Sequence, residues 1–346
     1  MIPYGHDGTC ANWGIADVLG ETNTLFTHAI NAIDSLIKGP LPNVEESVNR
    51  LNVASAFFGI LYKQQKSGEL YVFKGKDNLG KVREYYTKAR SFMNAKRTDR
   101  WRLQCGDEDL EWKTTLGDLG YTKRNMMLQS IPDPTSLAKA LQEDQSFQTK
   151  KKDISTYKGV FWSKYWSHKV GDLYPIDSQY FIGIGPDAEP KGSFFETTRS
   201  VGSTYTGGDT NSALAKEVLL LSKDFHSSRS LPQAEIDINS RHIRDIEDVQ
   251  TRAGHLLHEL MHMSTHKLED SEIIEDWDAV GSDKVASTLE DCIGLGFEEF
   301  GNKAHLLITH AYSYQYFAEA SYFEDINWWP EGWDFNIGDC PGDDDE

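Results

Sequence analysis

The chain has 346 residues, of which 39% are apolar, 26% charged and 12% aromatic, the balance of a globular protein with a well-filled core. Its formal charge of −19 would repel a phosphate backbone or an anionic lipid surface, so nucleic-acid and membrane partners are set aside. No apolar run approaches the roughly 20 residues needed to cross a bilayer.

The start, "MIPYGHDGTC", has neither the basic n-region nor the apolar h-region of a signal peptide. Two expectations follow: an intracellular protein, or a secreted one that begins after a removed leader. No N-x-S/T sequon occurs. The first hundred residues read mainly as helix. "NTLFTHAINAIDSLIKG" sets Leu25, Ala29, Ala32, Ile33 and Leu36 on one side, and Gly39-Pro40 stops it. "VEESVNRLNVASAFFGILYKQQKSG" repeats the pattern with Val48, Leu51, Ala54, Phe58 and Leu61. After a short strand-like "ELYVFKG" comes a third helix, "GKVREYYTKARSFMNA".

The texture then changes. "RWRLQCGD", "LEWKTTL" and "GVFWSKYW" alternate large and polar residues as strands do. "IPDPTSLAKALQEDQSF" reads as a helix entered through prolines. Residues 185–211 are rich in Gly, Ser and Thr and read as loop, and "KEVLLLSKDF" is a strongly apolar strand. The expected organisation is α+β: a mainly helical part over 1–100, a region over 101–340 with a mixed sheet before a histidine-rich helix, and an acidic tail over 341–346. Cys10, Cys105, Cys292 and Cys340 form no CxxC pair, which argues against a cysteine-held zinc. Four cysteines leave room for two disulfides or for free thiols, and a bridge between Cys10 and Cys340 would pin the two chain ends.

The segment "VQTRAGHLLHELMHMSTH" carries the chemistry, with Asp245 as the expected N-cap. At about 100° per residue, Val249, Ala253, Leu256, Leu257 and Leu260 gather on one face, while His255, His258, Glu259, His262 and His266 gather on the other. His258-Glu259-Leu260-Met261-His262 is a complete HExxH. Histidines four apart sit side by side with about 6 Å of axial rise between them, so both rings can reach one ion at about 2 Å. The intervening glutamate is placed to take a proton from water at the open position. His266 lies about 12 Å beyond His258 along the axis, too far to share that ion, and His255 and His266 read as surrounding groups.

A catalytic zinc needs a third protein ligand. Metzincins would require Gly and His where this chain has Thr265 and Leu268. Asp276, Asp278 and Glu290 remain as candidates. The run "HELMH", "IIEDWDAVG", "LEDC" and "HAYSYQYFAEASYF" resembles the aspzincins, the fungal deuterolysin and lysine-specific metalloendopeptidase group. That resemblance implies a zincin-like fold, Zn2+ as cofactor, a peptide or protein substrate and an aspartate as third ligand. Asp276 is the expected residue, with Asp278 second and Glu290 third. The tyrosine that precedes the family's closing glycine corresponds to Val280 here.

The expectation is therefore a zinc metalloendopeptidase with His258, His262 and Asp276 as ligands and Glu259 as general base. A zinc enzyme acting on a small amide or biosynthetic intermediate, and a zincin-like binding protein without catalysis, are the alternatives. The acidic runs "EDWD", "LED" and "FEE" favour basic groups on the substrate.

Overall fold

Leu25, Phe26, Ala29, Ile33 and Leu36 are all buried along one side of α1 (Ile15–Lys38), which starts earlier than its clearest periodicity and ends before Gly39-Pro40. The computed structural model describes residues 10–94, 101–113, 121–123, 126–127, 160–162, 174–175, 181–182, 189–205, 217–241, 243, 245–265, 274–277, 286–288, 290–292 and 304–328. They form a mixed α+β fold in two units, one of residues 1–15 and 96–226, the other of residues 16–95 and 227–346.

In the second of these units α1 is followed by α2 (Glu45–Phe58). The helix does not run on through Leu61 as its apolar spacing suggests. Gly59 adopts a left-handed conformation (φ 61°), and its N–H caps the Ser55 carbonyl; glycine reaches that region without a Cβ clash. The chain then turns into β1 (Leu61–Gln64), which pairs antiparallel with β2 (Leu70–Lys74). α3 (Lys76–Asn94) buries Leu79, Val82, Tyr85, Tyr86, Ala89 and Met93.

The other unit contains short strands: β3 (Trp101–Cys105), β4 (Glu111–Lys113), β5 (Tyr121–Lys123), β6 (Met126–Met127), β7 (Val160–Trp162), β8 (Tyr174–Pro175) and β9 (Phe181–Ile182). α4 (Phe194–Thr198), β10 (Gly202–Tyr205), β11 (Glu217–Leu221) and α5 (Lys223–Ser227) follow. The sheet orders are β10-β11-β3, β4-β7-β9 and β6-β5-β8. Residues 185–211 are thus not all loop. Ser193 and Glu196 form a reciprocal capping box on α4, whose Phe194 packs with Phe161, Val218 and Leu220.

The segment "EVLLL" offers no free edge. β11 lies between antiparallel β10 and parallel β3, and Val218, Leu219, Leu220 and Leu221 are all fully buried. An unbroken apolar run is what a strand covered on both faces requires. Of the pairings that four cysteines allow, the one between Cys10 and Cys340 is not formed. Cys10 is bonded to Cys105 at the end of β3, with Cα atoms 5.0 Å apart. The fold brings these two together across 95 residues of sequence, whereas nearness to a chain end says nothing about spatial nearness. Cys292 is free and buried. Cys340, the acidic tail and the segment "IPDPTSLAKALQEDQSF" lie outside the described residues.

The 16–95 and 227–346 unit is completed by α6 (Leu231–Arg241), a 3-10 turn at Ile246–Asp248, α7 (Arg252–Thr265), α8 (Ala304–Leu307) and α9 (Ala311–Tyr322). α9 packs against both α2 and α7, and α3 packs against α7 as well. Nearly every residue of α9 is buried, so it is apolar or hydrogen-bonded all round, as a central helix must be. Phe317 meets Phe58 at 4.9 Å between ring centroids, and Tyr314 meets Tyr86 at 4.9 Å. The histidine helix thus packs beside an aromatic layer made partly by the N-terminal helices.

Candidate metal centre

α7 starts later than the sequence suggests. Asp245 caps the 3-10 turn, accepting from the Glu247 N–H at 2.9 Å. The helix itself is started by Thr251, whose hydroxyl oxygen accepts from the Gly254 N–H at 2.9 Å. Thr251 in turn donates its N–H and its hydroxyl to Glu319 Oε1 on α9, at 2.7 and 2.8 Å. A Cβ on Gly254 would stand 2.2 Å from that same oxygen, so only glycine admits the carboxyl here. Burial raises the Glu319 pKa to about 7, although the bonds from Thr251 and Gln315 work the other way.

The two faces of α7 divide as the periodicity predicts. Ala253, Leu256, Leu257 and Leu260 are fully buried, as is Val249 at the end of the 3-10 turn before the helix. On the opposite face, His258 Nε2 and His262 Nε2 lie 3.2 Å apart. Asp276 reaches both rings, with Oδ1 3.3 Å from His258 Nε2 and Oδ2 3.6 Å from His262 Nε2. Donors held about 2.0–2.1 Å from one tetrahedral ion lie roughly 3.3 Å from each other. The separation of the two imidazole nitrogens matches that value, and Asp276 approaches each ring through a different oxygen at a similar distance, so the three side chains could hold one metal ion. Their ligand atoms all lie within 4.8 Å of one another.

The ring orientations agree. His262 Nδ1–H donates to the Ile274 carbonyl at 2.8 Å, which leaves Nε2 to face the cluster and fixes the tautomer a metal ligand needs. His258 Nδ1 is buried without a hydrogen-bond partner among the described residues. Such an orphan costs about 1–3 kcal/mol, and a purely structural histidine would gain nothing from it. Burial opposes charge on His262, yet Asp276, Glu259 and the Ile274 carbonyl outweigh it and raise the ring to about 9. Burial likewise pushes Asp276 up, and the two imidazoles more than reverse this, holding it well below the usual carboxylate range. Without an ion, the cluster is a cationic imidazole against a carboxylate.

Asp276 is delivered by a segment tied down on both sides. Ile274 accepts from His262. Glu275 pairs with the residues around His310, its N–H donating to the Thr309 carbonyl at 2.9 Å and its carbonyl accepting from the Ala311 N–H at 3.1 Å. The Trp277 N–H donates to His310 Nδ1 at 3.2 Å, and its indole N–H reaches Thr309 Oγ1 at 3.1 Å. His310 Nε2–H donates to the Ala286 carbonyl at 2.7 Å. Both ring nitrogens of His310 are therefore committed to the neutral form, and burial lowers its pKa to about 4.

Glu259 is buried at 6% exposure beside His258, and its charge acts on both His262 and Tyr312. Glu290 is exposed and stands outside the cluster. Asp278, His266 and Val280 lie outside the described residues. His255 is half-buried, and burial together with the neighbouring His258 keeps its pKa at about 4. Three further residues matter that periodicity did not single out: Glu319 at the helix start, His310 behind Asp276, and Tyr312, whose ring packs on His258 at 4.4 Å between centroids. Only a histidine and a run of aromatics in "HAYSYQYF" hinted at the last two. No family model matches the chain, and neither does any curated protein or solved structure.

Proposed function

We propose that the chain is a zinc-dependent hydrolase, and that it cleaves peptide bonds as a metalloendopeptidase with an HExxH zincin fold similar to the aspzincins. The observation that carries this reading is the meeting of His258, His262 and Asp276 ligand atoms beside the buried carboxyl of Glu259. Two imidazoles and one carboxylate are a donor set that leaves zinc a fourth, open position. A zinc ion held there would polarise a peptide carbonyl and bring the pKa of water toward about 7.

The chain's own groups do the rest. Glu259 takes a proton from the attacking water and hands it to the leaving amine. His262 is oriented by Ile274, and Asp276 by the backbone pairing of Glu275, so neither needs to reorganise. The Asp276 side chain is 34% exposed, which gives the cluster access to solvent and substrate. Exposed Glu275 and the charge of −19 favour a substrate with basic groups near the scissile bond. The same charge speaks against nucleic-acid or membrane partners. The Cys10–Cys105 bridge supports secretion into an oxidising compartment.

The test is cleavage of a mixture of unfolded proteins by the zinc-loaded chain, read by mass spectrometry, beside Glu259→Gln. The variant should keep its zinc and lose cleavage by about 10²-fold or more. Undiminished cleavage in Glu259→Gln would refute the assigned base. Stoichiometric zinc without any peptide cut would move the chemistry to a smaller amide.

A further inference from the structure

Three tyrosines stand in the first two turns of α9, and two have committed hydroxyls. Tyr314 donates to the Ile308 carbonyl at 2.7 Å, and Tyr316 to the Ser287 carbonyl at 2.6 Å. The hydroxyl of the third, Tyr312, makes no hydrogen bond among the described residues. Its ring is held edge-on against His258, at 4.4 Å and 63°, and touches His310 and Tyr316 at 5.8 and 6.1 Å. The charges of both Asp276 and Glu259 act on its hydroxyl. Tyr312 is only partly buried, and its ring stands against a histidine of the metal cluster.

We infer that Tyr312 is a further catalytic residue, whose hydroxyl donates a hydrogen bond to the carbonyl oxygen of the bond under attack. This rests on the hydrolase reading above. When water adds, a C–O bond forms, the π pair of the carbonyl moves onto its oxygen, and Glu259 takes the water's proton. The oxygen then bears a negative charge, and a donor already aimed at it stabilises the transition state more than the ground state. A phenol is protonated at neutral pH and supplies such a donor without adding charge. Tyr312 keeps its proton throughout. On collapse the pair returns to the carbonyl, the C–N bond breaks, and the proton on Glu259 goes to the amine. Tyr314 and Tyr316 cannot take this part without abandoning the carbonyls they satisfy. Packing on His258 fixes the Tyr312 ring in advance, so little ordering is left for the moment of reaction.

The experiment compares zinc-loaded wild type, Tyr312→Phe and Tyr316→Phe by two readouts. The first is kcat and KM on the peptide that the wild type cuts fastest. The second is the affinity for acetohydroxamate, a small oxygen ligand of zinc, measured by calorimetry. Tyr312→Phe keeps the ring on His258, so zinc content and melting temperature should not change. Its kcat should fall on the order of 10²-fold with KM within about twofold, and acetohydroxamate should bind about tenfold more weakly. Tyr316→Phe should leave kcat within about twofold of wild type. Wild-type kcat and acetohydroxamate affinity in Tyr312→Phe would overturn the inference. Should the wild type cut no peptide at all, hydrolysis fails by itself, and acetohydroxamate still decides: equal affinity in both proteins overturns the donor role, and weaker binding by Tyr312→Phe upholds it.

Discussion

The main-chain N–H of Trp277 donates to Nδ1 of His310, and the opposite nitrogen of that ring donates to the Ala286 carbonyl. One buried imidazole thereby fastens the residue that follows Asp276 to the segment at Ala286. His310 thus positions Asp276, the proposed third ligand. His310→Ala should weaken zinc binding by about 10- to 100-fold, the usual cost of losing support behind a metal ligand. Competition with a chelating dye would measure this. Glu290→Ala, at an exposed carboxylate outside the cluster, should bind zinc as the wild type does. Equal affinity in His310→Ala and the wild type would show that Asp276 needs no such support.

Zinc binding should release protons. In the metal-free chain His262 titrates near 9 because Asp276 and Glu259 favour its charged form, so at pH 7 the ring must lose its proton before Nε2 can hold an ion. Calorimetry in buffers of different ionisation enthalpy should find about one proton released per zinc at pH 7. The release should shrink as pH rises past 9. The sign follows directly: zinc affinity climbs from pH 6 to about 9 and then levels. An affinity that stays flat across that range would contradict a protonated His262.

Glu319 makes a separate prediction about stability. Burial raises its pKa in the fold to about 7, above the ordinary carboxyl value of 4.5, so the protonated carboxyl is the form the fold prefers. Its stabilising effect is complete below pH 4.5 and is lost as pH rises through 7. Glu319→Gln keeps an oxygen to accept from Thr251 and removes the charge. The stability of the variant relative to wild type should grow by about 3 kcal/mol between pH 4 and pH 8. Denaturant unfolding at a series of pH values measures the difference, in which other titrating groups cancel. A difference that does not vary with pH would contradict the buried, raised carboxyl.

The α+β character and the two faces of the histidine helix were legible in the sequence because both rest on local periodicity. Leu256, Leu257 and Leu260 are fully buried and His258 faces His262, as the spacing requires. Helix ends were less legible. The apolar spacing of α2 runs on to Leu61, but Gly59 in a left-handed conformation outweighs it and β2 recruits the next residues. Asp245 is a good capping residue, yet it caps the turn before α7, since Glu319 and Thr251 already occupy the helix start. Periodicity could not choose among Asp276, Asp278 and Glu290. Asp276 is brought to the two histidines by Glu275 pairing with the chain around His310, a contact between residues far apart in sequence, and Asp278 lies outside the described residues. The same is true of Cys10 and Cys105, joined across 95 residues.

Elemental analysis of the purified chain, together with Asp276→Ala and Glu290→Ala, bears most directly on the metal centre. The predicted result is one zinc per chain in the wild type and in Glu290→Ala, and none retained by Asp276→Ala after dialysis. A wild type that holds no metal after saturation with zinc, or an Asp276→Ala variant that keeps a full equivalent, would contradict a centre built from His258, His262 and Asp276.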